Sequence, residues 1–387
     1  MRQTGWRPLL LLLVLFLSSS IAAEDPPIGV LLRKDPTTLD VQTTGSSLFL
    51  VWGPEEEAIL STDAHRITFS GSQAQLGQWR FEARPFRLRS SGNSPTRVAG
   101  NRYEGWIEFL PTTGQKAGWQ VVNRVPLERY LLGVLPREMP ASFPPAALEA
   151  QAIAARTYAL YQIVTRAPGT RVHLFSDVRS QVYGGVTQSI QEMEQAVAGT
   201  RGQVLFYQGK IFEAFYHSTC GGYTQSALAA FGGPDLPTLQ PVPCGFCKDS
   251  RYYTPWRFSL TRADVQRILK PICKEYRLKL GKVQAILPVE RGPGQHAAYL
   301  RIDHDHGSFE VDAALFREAC RQLRLDGPRS TAFRCRQEGA GFLLEGVGWG
   351  HGVGLCQFGA SGLAKQGLNA QEILQHYYPG SQVVELW

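Results

Sequence analysis

The chain has 387 residues, 43% hydrophobic and 19% charged, so it can bury a sizeable core as one large domain or two. Its formal net charge of +7 is a mild excess at this length and suits an acidic polymer as partner. No Lys/Arg run or basic, aromatic-studded stripe points to nucleic acid, and nothing reads as repetitive or low-complexity.

Residues 1–23 have the layout of a secretory signal. Arg2 and Arg7 are positive, Leu9 to Leu17 are apolar, and Ser20-Ile21-Ala22 or Ile21-Ala22-Ala23 supplies a small-residue exit. The apolar run is short for a membrane span, with an uncleaved anchor as the second reading. Cleavage after Ala23 removes two positive charges and no acid, taking the formal net charge from +7 to +5. The expectation is an exported protein of the periplasm, cell envelope or extracellular space.

From Ile28 to about Ala99, short apolar runs alternate with turns. Ile28–Leu32, Leu48–Trp52, Arg66–Phe69 and Trp79–Ala83 read as strands, with breaks at Gly45-Ser46 and Gly71-Ser72. Arg102–Phe109 and Gly118–Arg124 continue the β pattern. Pro145–Val164 then reads as a helix, with Leu148, Ala152, Ala155, Ala159 and Ile163 on one face and Pro168-Gly169 beyond its end. Ser189–Ala198 is a second helix, followed by a hairpin of Val204–Tyr207 and Lys210–Tyr216 around Gln208-Gly209. Further helices are expected at Arg262–Leu269, Ala313–Leu323 and Ala370–Tyr377, the last with Asn369 and Glu372 spaced as a capping box. Strands and helices mix without βαβ alternation, so the class is α+β. The organisation expected is a β-rich N-terminal part over residues 24–100 and a core over residues 101–387, forming a single unit.

One carboxylate stands out. In Gly133-Val134-Leu135-Pro136-Arg137-Glu138-Met139-Pro140, two prolines flank Glu138, which predicts a stiff loop ahead of the Pro145–Val164 helix. A glutamate held in this way suits a general acid/base, whereas composition alone favours a solvated loop residue. No second acid shares that loop, and Glu128 and Glu149 read as solvated surface. Met139 and Tyr158 are candidates for an apolar surround that would raise its pKa.

Several blocks in order resemble the SpoIID/LytB family of cell-wall proteins. They are Val121-Val122-Asn123, Val125 to Leu131, Gly133 to Pro140, Ala147 to Tyr158, Gln181 to Gly185, Tyr216 to Gly222, Gly350 to Gly354 and Gln357 to Ala360. The resemblance spans nearly the whole chain beyond Pro27. It implies that Glu138 is the catalytic residue of a lytic transglycosylase, protonating the glycosidic oxygen between N-acetylmuramic acid and N-acetylglucosamine. The same group then takes the muramyl C6 hydroxyl proton as a 1,6-anhydro ring closes, so no second carboxylate is required, unlike ordinary glycosidases.

His217-Ser218-Thr219-Cys220 and Cys244-Gly245-Phe246-Cys247 supply three thiols and one imidazole, a ligand set for tetrahedral zinc of structural type. A Cys244–Cys247 or Cys220–Cys244 disulfide is the alternative in an exported protein. With His217, Cys220, Cys244 and Cys247 on zinc, Cys273, Cys320, Cys335 and Cys356 remain as an even set able to form two disulfides. Relatives in the family usually carry serine where Cys356 stands.

Gly350-His351-Gly352-Val353-Gly354 permits φ > 0 and close backbone approach, and its spacing is not a dinucleotide fingerprint. His351 and Gln357 are candidate substrate contacts, as are Arg156, Tyr158 and Tyr183; the structural alternatives are a tight turn at His351, a surface arginine, a packed Tyr158 and a turn closed by Tyr183-Gly184-Gly185. The leading expectation is a transglycosylase acting on peptidoglycan glycan strands already stripped of stem peptides. The second is a non-catalytic wall-binding protein that stimulates an amidase. A zinc-dependent amidase is disfavoured, because four protein ligands close the coordination sphere.

Overall fold

The computed structural model describes residues 25–387 apart from 44–45, 62, 93, 115–116, 187–189, 233 and 324–326. The secretory signal expected over residues 1–23 lies outside the described residues. Strands and helices occur together in several separate sheets, so the α+β class is correct.

Alternation of apolar and polar residues dictates the first half of the fold. In Phe86–Ser90, Phe86 and Leu88 point inward while Arg87 and Arg89 face solvent; in Thr38–Gln42, Leu39 and Val41 point inward. Such strands assemble into a seven-stranded and a six-stranded sheet whose inner faces share one core. Phe86 stacks on Phe109 at 4.5 Å between ring centroids and on Phe81 at 4.1 Å. Pro27–Lys34 runs antiparallel to Gly118–Pro126 and parallel to Leu174–Phe175, which ties the start of the described chain to the segment before the first helix.

Eight helices occur among the described residues: α1 Leu127–Glu138, α2 Pro145–Val164, α3 Gln191–Gly199, α4 Ala227–Phe231, α5 Arg262–Glu275, α6 Ala313–Gln322, α7 Gln357–Lys365 and α8 Ala370–Tyr377. None is long and apolar enough to cross a membrane. The bounds of α2 and α8 match the sequence reading, and Asn369 and Glu372 do form a capping box. The hairpin is shorter than expected: Gln203–Tyr207 pairs with Lys210–Ile211, and Tyr216–His217 leaves to pair with Leu355–Cys356.

Two helical readings need correction. Glu138 is not on a loop; it is the last residue of α1, and Pro136 lies inside that helix. Leu127, Leu131, Val134 and Leu135 bury one side of α1, and that packing outweighs a proline in the final turn. For α2, burial is not confined to one face. Ala147, Ala150, Ala154 and Ala155 are all enclosed, and α1, α3, α7 and α8 pack around it.

A second apolar cluster forms between Trp256 and Leu344. There α5 and α6 cover two three-stranded sheets, Trp256–Thr261 with Gly341–Gly346 and Phe333–Glu338, and Val283–Arg291 with Ala297–His304 and Gly307–Asp312. Cys273 and Cys320 are buried in this cluster with Cys335 packed against it, as free thiols, while Cys356 belongs to the other core. The disulfide set anticipated from cysteine counting is therefore not assembled.

One buried ion pair locks the helices. Arg156 of α2, 0% exposed, donates from Nε and Nη2 to the two carboxylate oxygens of Glu128 in α1, at 2.9 and 2.7 Å. The Gly202 amide and the Trp387 indole also donate to Glu128, at 3.1 and 3.2 Å. Glu128→Gln should cost about 3–5 kcal/mol, because it leaves the Arg156 charge buried without its partner. The midpoint of denaturant unfolding measures this, with the m-value unchanged if the native fold is otherwise kept.

Candidate active site

Three segments meet at Glu138. The end of α1 supplies the carboxyl, the Gln181–Gly185 stretch brings the Val182 amide to 3.1 Å from Oε1, and the first residue of α7, Gln357, donates Nε2 to Oε2 at 3.3 Å. The Gln357 Nε2 also lies 3.5 Å from the Oε1 of Gln151 on α2. Tyr130 is buried and Tyr216 half-buried, and desolvation pushes the ionisation of both phenols far up, with the charge of Glu138 adding to it. The Tyr130 hydroxyl donates to Gln181 at 2.9 Å, and its ring packs on Tyr183 at 4.9 Å.

These surroundings set the protonation of the acid. Burial raises the Glu138 pKa, and the Val182 and Gln357 donors pull it partly back by favouring the carboxylate. Among the described residues, no second carboxylate contributes to the shift. An upward shift keeps a fraction of the carboxyl protonated above the ordinary glutamate range near ~4.3.

Of the candidate contacts, Gln357 is the one brought to Glu138. Arg156 is not a surface or substrate-facing group: its guanidinium is consumed by Glu128, Thr200 and the carbonyls of Val197 and Gln203. Glu128 is likewise buried rather than solvated. Tyr183 is enclosed, with its hydroxyl donating to Asn123 at 2.7 Å, so its ring does not present a sugar-binding face; its neighbour Val182 contributes through the backbone instead. Tyr158 is buried against Phe215, and desolvation pushes its pKa up to about 12. His351 lies among aromatic rings, 5.1 Å from Phe231 and 5.6 Å from His217, and accepts the Val353 amide at Nδ1. Desolvation keeps it neutral. The charge of Glu138 reaches the phenols of Tyr130 and Tyr216. The sequence reading missed both of those rings, Gln151 and the Val182 amide, although all four lie inside blocks it had quoted.

The thiols assemble differently from expectation. Cys220, Cys244, Cys247 and Cys356 are buried with their sulfur atoms all within 4.8 Å of one another, and the Cys220 and Cys247 sulfurs are 3.7 Å apart. His217 is not in this set. Its Nδ1 bonds the Val353 carbonyl at 3.0 Å and its ring faces His351. Parallel pairing of Tyr216–His217 with Leu355–Cys356 brings the Cys356 strand alongside, and the Cys220 amide donates to the Cys356 sulfur at 3.3 Å. A tetrahedral ion with metal–sulfur bonds near ~2.3 Å places its ligands about 3.8 Å apart, which this spacing suits. Shared thiol hydrogen bonds split the set. Cys220 donation pulls Cys244 and Cys247 toward thiolate, while Cys220 is pushed up by its bond with Cys244, and Cys356 by burial.

Gln357→Leu removes a donor that favours the ionised carboxylate, so Glu138 should keep its proton to higher pH than in the parent. Carbon-13 titration of the Glu138 carboxyl reads this directly. An unchanged or lowered midpoint would remove Gln357 from control of the acid.

Residues 115–207 match the family model described as stage II sporulation protein SpoIID, and residues 243–354 match a domain of unknown function. An uncharacterized protein of Brachyspira hyodysenteriae is 32% identical over 289 residues, covering 74% of this chain and 73% of the relative. Stage II sporulation protein D of Bacillus amyloliquefaciens is 31% identical over 278 residues, covering 68% of this chain and 76% of that protein. The amidase enhancer of Bacillus subtilis is 28% identical over 290 residues, 65% of this chain but 40% of its own length. With a half-buried, polar-tethered glutamate inside the matched region and about a third of residues shared with relatives over most of their length, the chain belongs to the SpoIID family.

Proposed function

We propose that the protein is a peptidoglycan lytic transglycosylase of the cell envelope, exported through residues 1–23. It would cleave the linkage between N-acetylmuramic acid and N-acetylglucosamine in peptide-stripped strands. The observation that carries this reading is the state of Glu138: desolvated, shifted upward, and tethered by two donors, with no carboxylate among the described residues contributing to its shift.

A single acid that also serves as base must be at ease with and without its proton. The amides of Gln357 and Gln151 provide for both states. In the ionised state Gln357 Nε2 donates to Glu138 and Gln151, which leaves Gln151 Nε2 buried without a partner. Rotation of both amides by half a turn would let Gln357 Oε1 accept from the protonated carboxyl and from Gln151 Nε2. The oxygen and nitrogen of an amide are nearly isosteric, so the exchange needs no displacement of either helix. Glu138 can thus give its proton to the glycosidic oxygen and recover one from the C6 hydroxyl while the Val182 amide holds Oε1 in place. No carboxylate contributes to the Glu138 shift, which fits intramolecular attack by the C6 oxygen, a reaction that needs no second acid.

Glu138→Gln should retain the fold and glycan binding but lose about 10²–10⁴-fold in cleavage. Digestion of peptide-free strands by the parent should give 1,6-anhydro-muramyl ends on mass analysis. Reducing muramyl ends would contradict the reaction assigned. Near-normal turnover by the Gln variant would remove Glu138 from it.

The similarity to a protein named amidase enhancer favours a second reading, a wall-binding protein that stimulates an N-acetylmuramoyl-L-alanine amidase without cleaving glycan. Under that reading, purified protein releases no sugar fragments but accelerates peptide release when an amidase is added.

We further assign zinc to Cys220, Cys244, Cys247 and Cys356. Four thiolates close the coordination sphere, so the ion would cross-link the 218–222, 244–250 and 350–357 segments and contribute folding energy. Elemental analysis should find about one zinc per chain. Cys356→Ser should lose the metal and His217→Ala should keep it; the opposite pattern would restore histidine as the fourth ligand.

A further inference from the structure

One aromatic pair, exposed Trp349 and half-buried Tyr252, has no part in the acid–base assembly. Trp349 stands between Gly348 and Gly350, which have φ of 81° and 113°. A Cβ at Gly348 would meet the Thr219 carbonyl oxygen at 2.7 Å, and one at Gly350 would meet the His217 Cβ at 2.7 Å. Only glycine on both sides lets this backbone press onto the 217–219 segment. Backbone bonds then fix it. The Trp349 amide donates to the Thr219 carbonyl at 2.7 Å and the Thr219 amide returns the bond at 3.0 Å. Gly348 donates to the Tyr252 carbonyl at 2.8 Å and Gly350 to the Arg329 carbonyl at 2.9 Å.

The result is a large apolar ring held rigidly and left 37% exposed. It meets Tyr252 edge-on at 4.0 Å between centroids. The Arg329 guanidinium lies 5.0 Å from the Trp349 centroid and 5.2 Å from that of Tyr252, and Arg251 lies 4.7 Å from Tyr252. The ledge therefore combines aromatic surface with the exposed guanidinium of Arg251, while Arg329 packs over both rings. It is bonded to Thr219, just beyond the Tyr216–His217 strand that pairs with Leu355–Cys356, immediately before Gln357.

We propose that this ledge binds the glycan strand and selects for strands whose lactyl carboxylates are free. The apolar face of a sugar ring would lie on Trp349 and Tyr252, and a lactyl carboxylate would pair with the exposed Arg251. On strands that keep their stem peptides that carboxylate is an uncharged amide, and the charge-assisted bonds are lost. The proposal rests on the glycan substrate of the preceding reading and adds a residue basis for its preference for peptide-stripped strands.

The test measures affinity of full-length Glu138→Gln protein for soluble peptide-free strands, so that cleavage does not intervene. Adding Trp349→Ala should weaken binding about tenfold or more, and Trp349→Phe should restore most of it. Adding Arg251→Glu, at an exposed position that does not threaten folding, should weaken binding and reduce its salt dependence. Strands whose lactyl carboxylates have been converted to amides should bind weakly, and equally to proteins with and without Arg251→Glu. Unchanged affinity in both the Trp349→Ala and Arg251→Glu proteins would overturn the ledge. Equal or tighter ledge-dependent binding of a single-stranded DNA of matched length would overturn its assignment to glycan carboxylates. Failure here leaves Glu138-dependent cleavage standing, whereas failure of the transglycosylase reading leaves ledge-dependent binding intact.

Discussion

The Arg156–Glu128 pair bears on almost everything around the candidate acid. It joins α2 to α1 where neither helix has water to fall back on, and both guanidinium and carboxylate are saturated with further bonds. A buried pair of this kind adds little net stability compared with apolar residues, but breaking it is strongly destabilising. Its effect is to favour one alignment of the two helices, the one in which both charges are paired. Glu128 and Glu138 lie at opposite ends of α1, about 15 Å apart along its axis. Fixing the first end limits where the second can be.

Close packing around α2 completes that constraint. A helix enclosed by α1, α3, α7 and α8 needs small residues on several sides, and its alanines allow the four neighbours to approach. The same helix carries Gln151, so the amide that backs up Gln357 is set on an enclosed helix and is itself fully buried. Around the thiol set the logic is similar. Cys356 and Gln357 are consecutive, so whatever fixes the sulfur also fixes the start of α7 and the donor aimed at Glu138.

Local patterns made much of this legible. Four strands before residue 100, α2 and the capping box of α8 depend on periodicity and caps, and these appear in the sequence as written, whereas Thr38–Gln42, Glu57–Leu60, Gln73–Leu76, Phe86–Ser90 and Thr96–Val98 went unread. The importance of Glu138 was also visible, since prolines and family blocks mark it. Its placement at a helix end was not, because tertiary burial of Leu127, Leu131, Val134 and Leu135 overrides the local signal of Pro136. Arg156 and Tyr183 were misjudged for a related reason: long polar side chains at blocks shared with relatives can serve the interior as well as a substrate. The fourth thiol was hidden by distance. Spacing favoured His217, three residues from Cys220, whereas pairing of two short parallel strands brings in Cys356, 136 residues away.

That dispersal has a kinetic side. Val182 lies 44 residues from Glu138, and Gln357 lies 219 residues from it. Closing loops of such length costs entropy before any contact offsets it, and contacts of high sequence separation form late. The neighbourhood of the acid is therefore completed only after the sheets and the helical layer have joined. The same order in reverse makes it an early casualty of partial opening: release of the α7 start would strip Glu138 of a tether while most of the fold remained intact. Heat or denaturant would then silence the carboxyl before global unfolding became visible, and the margin between those two events is a property of the chain's topology rather than of any single bond.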